Sequence, residues 1–327
     1  MTVALQPMDP YGRTIDYLRI SVTDRCNERC LYCMPEGYRG WAQKETHLQP
    51  AEIVRLVEAA AGIGFRKFRL SGGEPLLRRD IVEIARGIHS VPGVEWLALS
   101  TNGILLEPLA EALRGAGISS VNISLDALSP ETYRKITGGS LDKVLAGIRA
   151  AQAAGFPSIK LNCVLMRGIN EREIWPLVEF AAEHALPLRF IELMPLTRSD
   201  VLNEENFFPV AEAMRLLSMR DTLVPLGERL GNGPARYHRL DKSGAIVGFI
   251  GAITTPDFCE SCNKIRLTSD GKLRPCLGRH GERDLLPALR GGGDLEELFR
   301  ETVANKPKDH EFTDCYEPGR PMTAIGG

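Results

Sequence analysis

The chain has 327 residues, 43% hydrophobic and 25% charged, which are ordinary globular proportions and exclude a disordered or fibrous protein. Forty Lys and Arg against 42 Asp and Glu leave a formal charge of −2, so no global attraction to nucleic acid or an acidic membrane is expected and any anion site must come from local clustering. No run reaches the roughly 18 uninterrupted apolar residues of a membrane span, and MTVALQPMDPYGRTIDY lacks the basic start and apolar run of a signal peptide. A cytoplasmic protein with reduced thiols is expected, and its eight cysteines then point to metal or catalysis rather than disulfides.

In chain order, short β-rich runs alternate with longer amphipathic ones. The predicted strands are YLRISV (17–22), KFRLSG (67–72), VEWLALS (94–100), SSVNISLD (119–126), SIKLNCV (158–164) and LRFIELM (188–194). Predicted helices between them span 51–64, 80–89, 109–117, 140–155 and 172–185, with Gly64, Gly117 and Gly155 as stop signals. This alternation predicts parallel strands with helices outside, an α/β fold built as a partial (β/α)6 barrel. A flat doubly wound sheet is the alternative. The pattern breaks after Pro195. A hairpin is expected in YHRLDKSGAIVGFIG (237–251) and a second strand pair around Ser269-Asp270-Gly271. A boundary near residue 225 divides a barrel domain (1–225) from a C-terminal domain (226–327) packed against it.

Cys26, Cys30 and Cys33, spaced C-x3-C-x2-C, follow the first strand, where the loops of a parallel barrel line the active face. Thiolates in a reduced compartment suit zinc or iron–sulfur. Three thiolates on a four-iron cube leave one iron open to a small molecule, and the alternative is a zinc site completed by a distant residue such as His47. Cys259, Cys262 and Cys276, spaced C-x2-C-x13-C, read alone as a zinc ribbon lacking one ligand, with His280 or Cys315 able to complete it. Beside the first triplet, a second open cluster becomes the stronger reading. Cys163 lies in an apolar strand and reads as a small buried side chain.

Strands of a parallel barrel are normally near-continuous apolar runs. Four of the six carry cations: Arg19, Lys67 with Arg69, Lys160 and Arg189. Lys67 and Arg69 are two apart and share a face. Several buried cations converging on one cavity would repel each other unless a polyanion joined them. The alternative is that each reaches solvent or pairs with an acid such as Glu192 or Asp126.

The first triplet with Tyr32 before its last cysteine, followed after the second strand by SGGEPLLR (71–78), resembles the radical S-adenosylmethionine enzymes. Within that superfamily, TDRCNERCLYCMPEG, STNG, ISLDAL, ITGG, MRGIN, IELMP, CESCNKIRLTSDGKLRPCLG and the terminal Gly-Gly are similar to the GTP 3′,8-cyclase family of molybdenum cofactor biosynthesis, over residues 11 to 327. The resemblance implies a lyase with two 4Fe–4S clusters. Cys26, Cys30 and Cys33 would hold the first, and Cys259, Cys262 and Cys276 the second, in a C-terminal extension. It places Tyr32, Gly73, Glu74, Ser124 and Met194 at S-adenosylmethionine. It places Arg19, Lys67, Arg69, Ser100, Lys160, Arg189, Lys264, Ile265 and Arg266 at GTP. It gives Arg266, Gly326 and Gly327 catalytic parts, the tail entering the active site. Ser100 stands where threonine is usual, and Lys264 where arginine is usual, which keeps the charge but not the planar fork. The implied reaction takes hydrogen from C3′ of GTP with a 5′-deoxyadenosyl radical and joins C3′ to C8. Implied partners are a flavodoxin- or ferredoxin-like reductant and a downstream cyclic pyranopterin monophosphate synthase; nucleic acid and membrane are not expected, and a homodimer is one option. The rivals are a peptide-modifying radical enzyme with an auxiliary cluster and a zinc-ribbon nucleic-acid module.

Overall fold

The computed structural model describes residues 6–34, 38, 47–227, 230–313 and 316–326, so Cys315 and Gly327 lie outside the described residues. Strands β1 (Tyr17–Ser21), β2 (Lys67–Ser71), β3 (Trp96–Thr101), β4 (Ser120–Ser124), β5 (Ser158–Leu165) and β6 (Leu188–Glu192) pair in chain order, each parallel to the last. Helices α1 (Pro50–Gly62), α2 (Ile81–His89) and α3 (Ala110–Gly115) fill the first three crossovers. Two helices, α4 (Pro130–Thr137) and α5 (Leu141–Ala153), fill the fourth, and α6 (Ile174–Glu183) the fifth. Helix α4 was not foreseen. Ser129 caps it by accepting from the Thr132 amide, with Pro130 in its first turn.

The later residues form α7 (Val210–Ser218), β7 (Leu223–Pro225), β8 (Arg236–Leu240), β9 (Ile246–Ile250), β10 (Lys264–Leu267), β11 (Lys272–Arg274) and β12 (Arg283–Asp284), then α8 (Leu286–Gly291), α9 (Leu295–Ala304) and α10 (Met322–Ile325). The two expected antiparallel pairs are β8–β9 and β10–β11. Both join the main sheet, whose order is β12-β11-β10-β1-β2-β3-β4-β5-β6-β9-β8-β7. Strand β10 lies parallel to β1 and β9 parallel to β6, so eight parallel strands carry an antiparallel hairpin at each rim.

Residues from all eight parallel strands, among them Arg19, Arg69, Ser100, Asn122, Lys160, Arg189, Ile250 and Arg266, line one cavity. A flat sheet could not bring its two halves to one space, so the sheet is curved into a partial barrel. The side chains between these point outward. Leu18, Ile20, Phe68, Leu70, Leu97, Leu99, Val121, Ile123, Leu161, Cys163 and Phe190 are almost fully buried in the core between sheet and helices. Helix α2 meets this layer with Ile81, Ile84, Ala85 and Ile88, one face at helical spacing; burial of each isoleucine contributes about 1.5–3 kcal/mol. The ring of Phe299 on α9 meets Phe65, at the end of α1, edge-on at 5.9 Å.

Candidate active site

The loop carrying Cys26, Cys30 and Cys33 leaves the carboxyl end of β1 and is held on two sides. The amide of Gly73 donates to the Thr23 carbonyl at 2.8 Å and that of Glu74 to the Arg25 carbonyl at 2.7 Å, so the SGGE turn after β2 is zipped to the cysteine loop. A side chain at Gly73 would put its Cβ 2.2 Å from the Arg25 carbonyl oxygen, and only glycine allows this approach. On the other side, the amides of Arg29 and Leu31 donate to the carbonyls of Thr137 and Ile136 at the end of α4. His47 lies 2.8 Å from the Asp24 carboxylate, so its Nε2 is engaged there rather than offered to the thiols. Burial pushes the Cys26 and Cys33 thiols up to about 12 and Cys30 well above the usual thiol range. Such thiols ionise when a metal cation replaces the proton. Among the described residues, no group of three or more His, Cys, Asp and Glu side chains is arranged to hold a single metal ion. Three thiols on one loop are the kind of donor set that holds an iron–sulfur cluster.

Glu74 is buried, and burial raises its carboxyl to about 7. It accepts from the Leu76 amide, the Thr101 hydroxyl and the Asn102 amide, at 3.0, 2.8 and 2.7 Å. Both its oxygens are thus used to join the turns after β2 and β3, and it does not line the cavity. Tyr32, Ser124 and Met194 do line it. The Tyr32 hydroxyl donates to Asp126 at 2.8 Å, and Asp126 also accepts from the Val164 amide at 2.8 Å; burial raises its carboxyl to about 6.

Below this level lies a ring of cations. In register across adjacent strands, Arg266 on β10 neighbours Arg19 on β1, which neighbours Arg69 on β2. Arg69 donates to the Tyr17 hydroxyl and the Leu99 carbonyl and lies over the Trp96 ring. Ser100 faces the same space, and its hydroxyl accepts from Arg69 at 3.2 Å. Burial lowers Arg19 well below its usual range, with the Arg266 charge adding to it. Burial, then Arg189 and Arg69, lowers Lys160 to about 8. Burial raises Tyr17, but Arg69, Arg19 and Lys264 more than offset it, and the net shift is down. The acids that sequence reading offered as partners are engaged elsewhere: Glu192 accepts from the amides of Val210, Ile253 and Thr254, and Asp126 is held as above. Two nitrogens of Arg189 and the side-chain oxygens of Asn122 and Asn162 are buried without hydrogen-bond partners in the structure. The guanidinium fits an anionic group of a ligand and the two amide oxygens fit hydrogen-bond donors on it.

Two residues expected at GTP lie outside the cavity lining. Lys67 pairs through its ammonium with Asp16 at 2.7 Å. Ile265 is fully buried in the core, on the opposite face of β10 from Lys264 and Arg266.

The cavity, of about 310 Å³, ends against the second triplet: Cys259, Cys262 and Cys276 all line it, with Lys264, Phe258 and Lys306. Burial raises the Cys262 thiol, but Lys264 and Lys306 reverse this and bring it down to about 7. His280 stacks on Tyr316, with ring centroids 5.1 Å apart. The tail turns inward through α10, with Thr323, Ala324 and Ile325 buried and the Gly326 carbonyl accepting from Arg266. Gly326 has φ +83°, which favours glycine, and a Cβ there would lie 3.3 Å from the Cβ of Ser21.

Residues 20–181 match the model of the Radical SAM superfamily, and residues 186–312 that of Molybdenum Cofactor Synthesis C. The GTP 3′,8-cyclase of Pelotomaculum thermopropionicum is 44% identical over 325 residues, covering 98% of this chain and 99% of that one. The chain belongs to the GTP 3′,8-cyclase family. The Moorella thermoacetica cyclase is 43% identical (98% and 99% covered) and that of Paracoccus denitrificans also 43% (93% and 90% covered). Among solved structures, Streptococcus suis SuiB bound to S-adenosylmethionine has a TM-score of 0.62 at 16% identity, covering 87% of this chain and 67% of that one. Native anSMEcpe with bound AdoMet has 0.56 at 15%, covering 90% and 82%. Both likenesses concern the fold.

Sequence reading missed several residues that line the cavity: Tyr17, Trp96, Asn122, Asn162, Lys306 and the Gly231–Pro234 turn. Asn122 and Asn162 had a signal. Each is an amide within an apolar strand, and in register Asn122 neighbours Lys160 while Asn162 neighbours Arg189.

Proposed function

We infer that this chain catalyses the conversion of GTP to (8S)-3′,8-cyclo-7,8-dihydroguanosine 5′-triphosphate, the first step of molybdenum cofactor biosynthesis. One observation carries the reading: a single cavity has Tyr32, Ser124 and Met194 at one end, the second thiol triplet at the other, and Arg19, Arg69, Lys160, Arg189, Lys264 and Arg266 around it. Cys26, Cys30 and Cys33 would hold one 4Fe–4S cluster and Cys259, Cys262 and Cys276 the other. When bound, the first cluster and S-adenosylmethionine supply a one-electron cleavage whose carbon radical removes hydrogen from C3′ of GTP.

The chain's own part is placement. Joining C3′ to C8 requires the ribose and the base to be held together. The cationic ring would hold the triphosphate and the second triplet's end the guanine, and fixing both ends of a reactant is worth up to about 7–11 kcal/mol of barrier. Tyr32, fixed by Asp126, and the Met194 side chain would bound the S-adenosylmethionine site and exclude water. Glu74 would act by shaping the turn after β2. Arg266, lowered by burial to about 10, stays charged near neutral pH, which favours positioning over proton donation. Gly326 would bring the tail to the same cation, with Gly327 beyond it.

The reading also assigns a cytoplasmic location, a flavodoxin- or ferredoxin-like electron donor and hand-over to cyclic pyranopterin monophosphate synthase. Among the described residues, no helix is long and apolar enough to cross a membrane. The test is anaerobic reconstitution followed by calorimetry with GTP. About eight irons per chain with matching sulfide, and GTP binding that needs the second cluster, are expected. Tight zinc binding without sulfide overturns the reading.

A further inference from the structure

Three buried cations hold the backbone around the second thiol triplet. Arg13 donates to the carbonyls of Cys259, Lys308 and Pro307. Arg274 donates to the carbonyls of Cys276 and Leu277. Lys306, 3% exposed, donates to the carbonyls of Lys264 and Pro275, at 2.9 and 2.7 Å. Lys264 opens β10 two residues after Cys262, and Pro275 follows β11 immediately before Cys276. Lys306 therefore ties together the two ends of the β10–β11 hairpin that carry these cysteines.

The three cations differ in how their charge is met. Arg13 pairs with Asp9, and Arg274 with Glu282. Among the described residues, Lys306 has no such acid, and both its hydrogen bonds go to neutral carbonyls. A buried ammonium without a counter-charge is unfavourable. An ammonium has three donors, and the third of Lys306 is left beside a cavity wall that also holds Cys259, Cys262 and Cys276. The counter-charge that fits is an anionic thiolate cluster.

We propose that Lys306 is a positioning residue that sets the reduction potential of the second cluster: it holds the two cysteine-bearing ends of the hairpin together and places one unbalanced positive charge beside the thiolates. The proposal rests on the functional reading above. A nearby cation favours the more negative, reduced form of a cluster and raises its potential.

The test is a redox titration, followed by electron paramagnetic resonance, of the anaerobically reconstituted full chain, with iron counted in each sample. In Lys306→Met, the second cluster should titrate at a more negative potential while the first is unmoved. In Lys306→Arg, which keeps the charge, the second cluster should return towards the wild-type value. A Lys306→Met protein with full iron and wild-type potentials overturns the proposal, as does an equal shift of both clusters. If Lys306→Met loses the second cluster, Lys306→Arg decides: retention at wild-type potential supports the role of the charge, and loss there too reduces Lys306 to a structural tie and overturns it. A wild-type chain that binds only four irons fails the functional reading instead.

Discussion

Arg266 on β10 donates to the carbonyl oxygen of Gly326, so the last described residue of the chain rests on a cation that also stands in register with Arg19. The tail is thereby anchored to a residue of the cavity wall, which Met322 also joins, rather than left as a frayed end. Removing Gly326 and Gly327 should lower cyclisation by about a hundredfold, the scale set by a small misplacement of reacting groups. The melting temperature should stay within about 2 °C, because few apolar contacts are lost. Product assays beside calorimetric melting check both, and a large fall in melting temperature would contradict the catalytic role.

The two thiol triplets lie at different parts of the site and should be separable by mutation. Cys259→Ala is expected to reduce iron from about eight to about four per chain. It should leave cleavage of S-adenosylmethionine, uncoupled from GTP, close to wild type while product formation is lost. Equal loss of both activities would make the second triplet structural.

Gly73 makes the converse case. A methyl group at this position would meet the Arg25 carbonyl oxygen at 2.2 Å, and that atom is backbone, so the cysteine loop itself must move. Gly73→Ala should lose the first cluster's irons and with them cleavage of S-adenosylmethionine, while GTP binding, measured by calorimetry, is largely kept. Full iron and normal cleavage in this variant would show that the loop tolerates the displacement.

Lys160 brings a pH dependence. Burial, with Arg189 and Arg69 adding to it, lowers its ammonium to about 8. The protonated form is the one that attracts a triphosphate, so affinity is full below pH 8 and falls as pH rises through it. Between pH 7 and 9 the GTP dissociation constant should rise by about tenfold, one pH unit past the titration being worth a factor of ten. In Lys160→Met binding should be weaker but flatter over that window. The same slope in both proteins would assign the titration to another group.

Much of the barrel was readable because parallel strands and their helices carry different periodicities. Tyr17–Ser21 and Lys67–Ser71 fall within runs predicted from β-branched and apolar residues. Helix α4 was overlooked because its eight residues are short and polar, although Ser129-Pro130 is a start signal. Cations such as Arg69 stood out against apolar strands. Lys67, on the same strand, was read as its equal because spacing alone cannot show that Asp16 meets it at 2.7 Å. Tyr17 and Trp96 could not be told from core aromatics, since only the curvature of the sheet turns them towards the cavity. Lys306 was hidden for a different reason: it lies 30 residues beyond Cys276 and reaches the site through tertiary packing.

Strands from the last third of the chain occupy both rims of the six-strand core, β9 beside β6 and β10 beside β1. During synthesis, the first six strands therefore wait with two raw parallel edges until residues 246–267 leave the ribosome. A fragment that stops at residue 225 should self-associate through those edges. Because β10 and β11 lie between Cys262 and Cys276, the second triplet is assembled only once both rims are sealed, and iron delivery there follows that step.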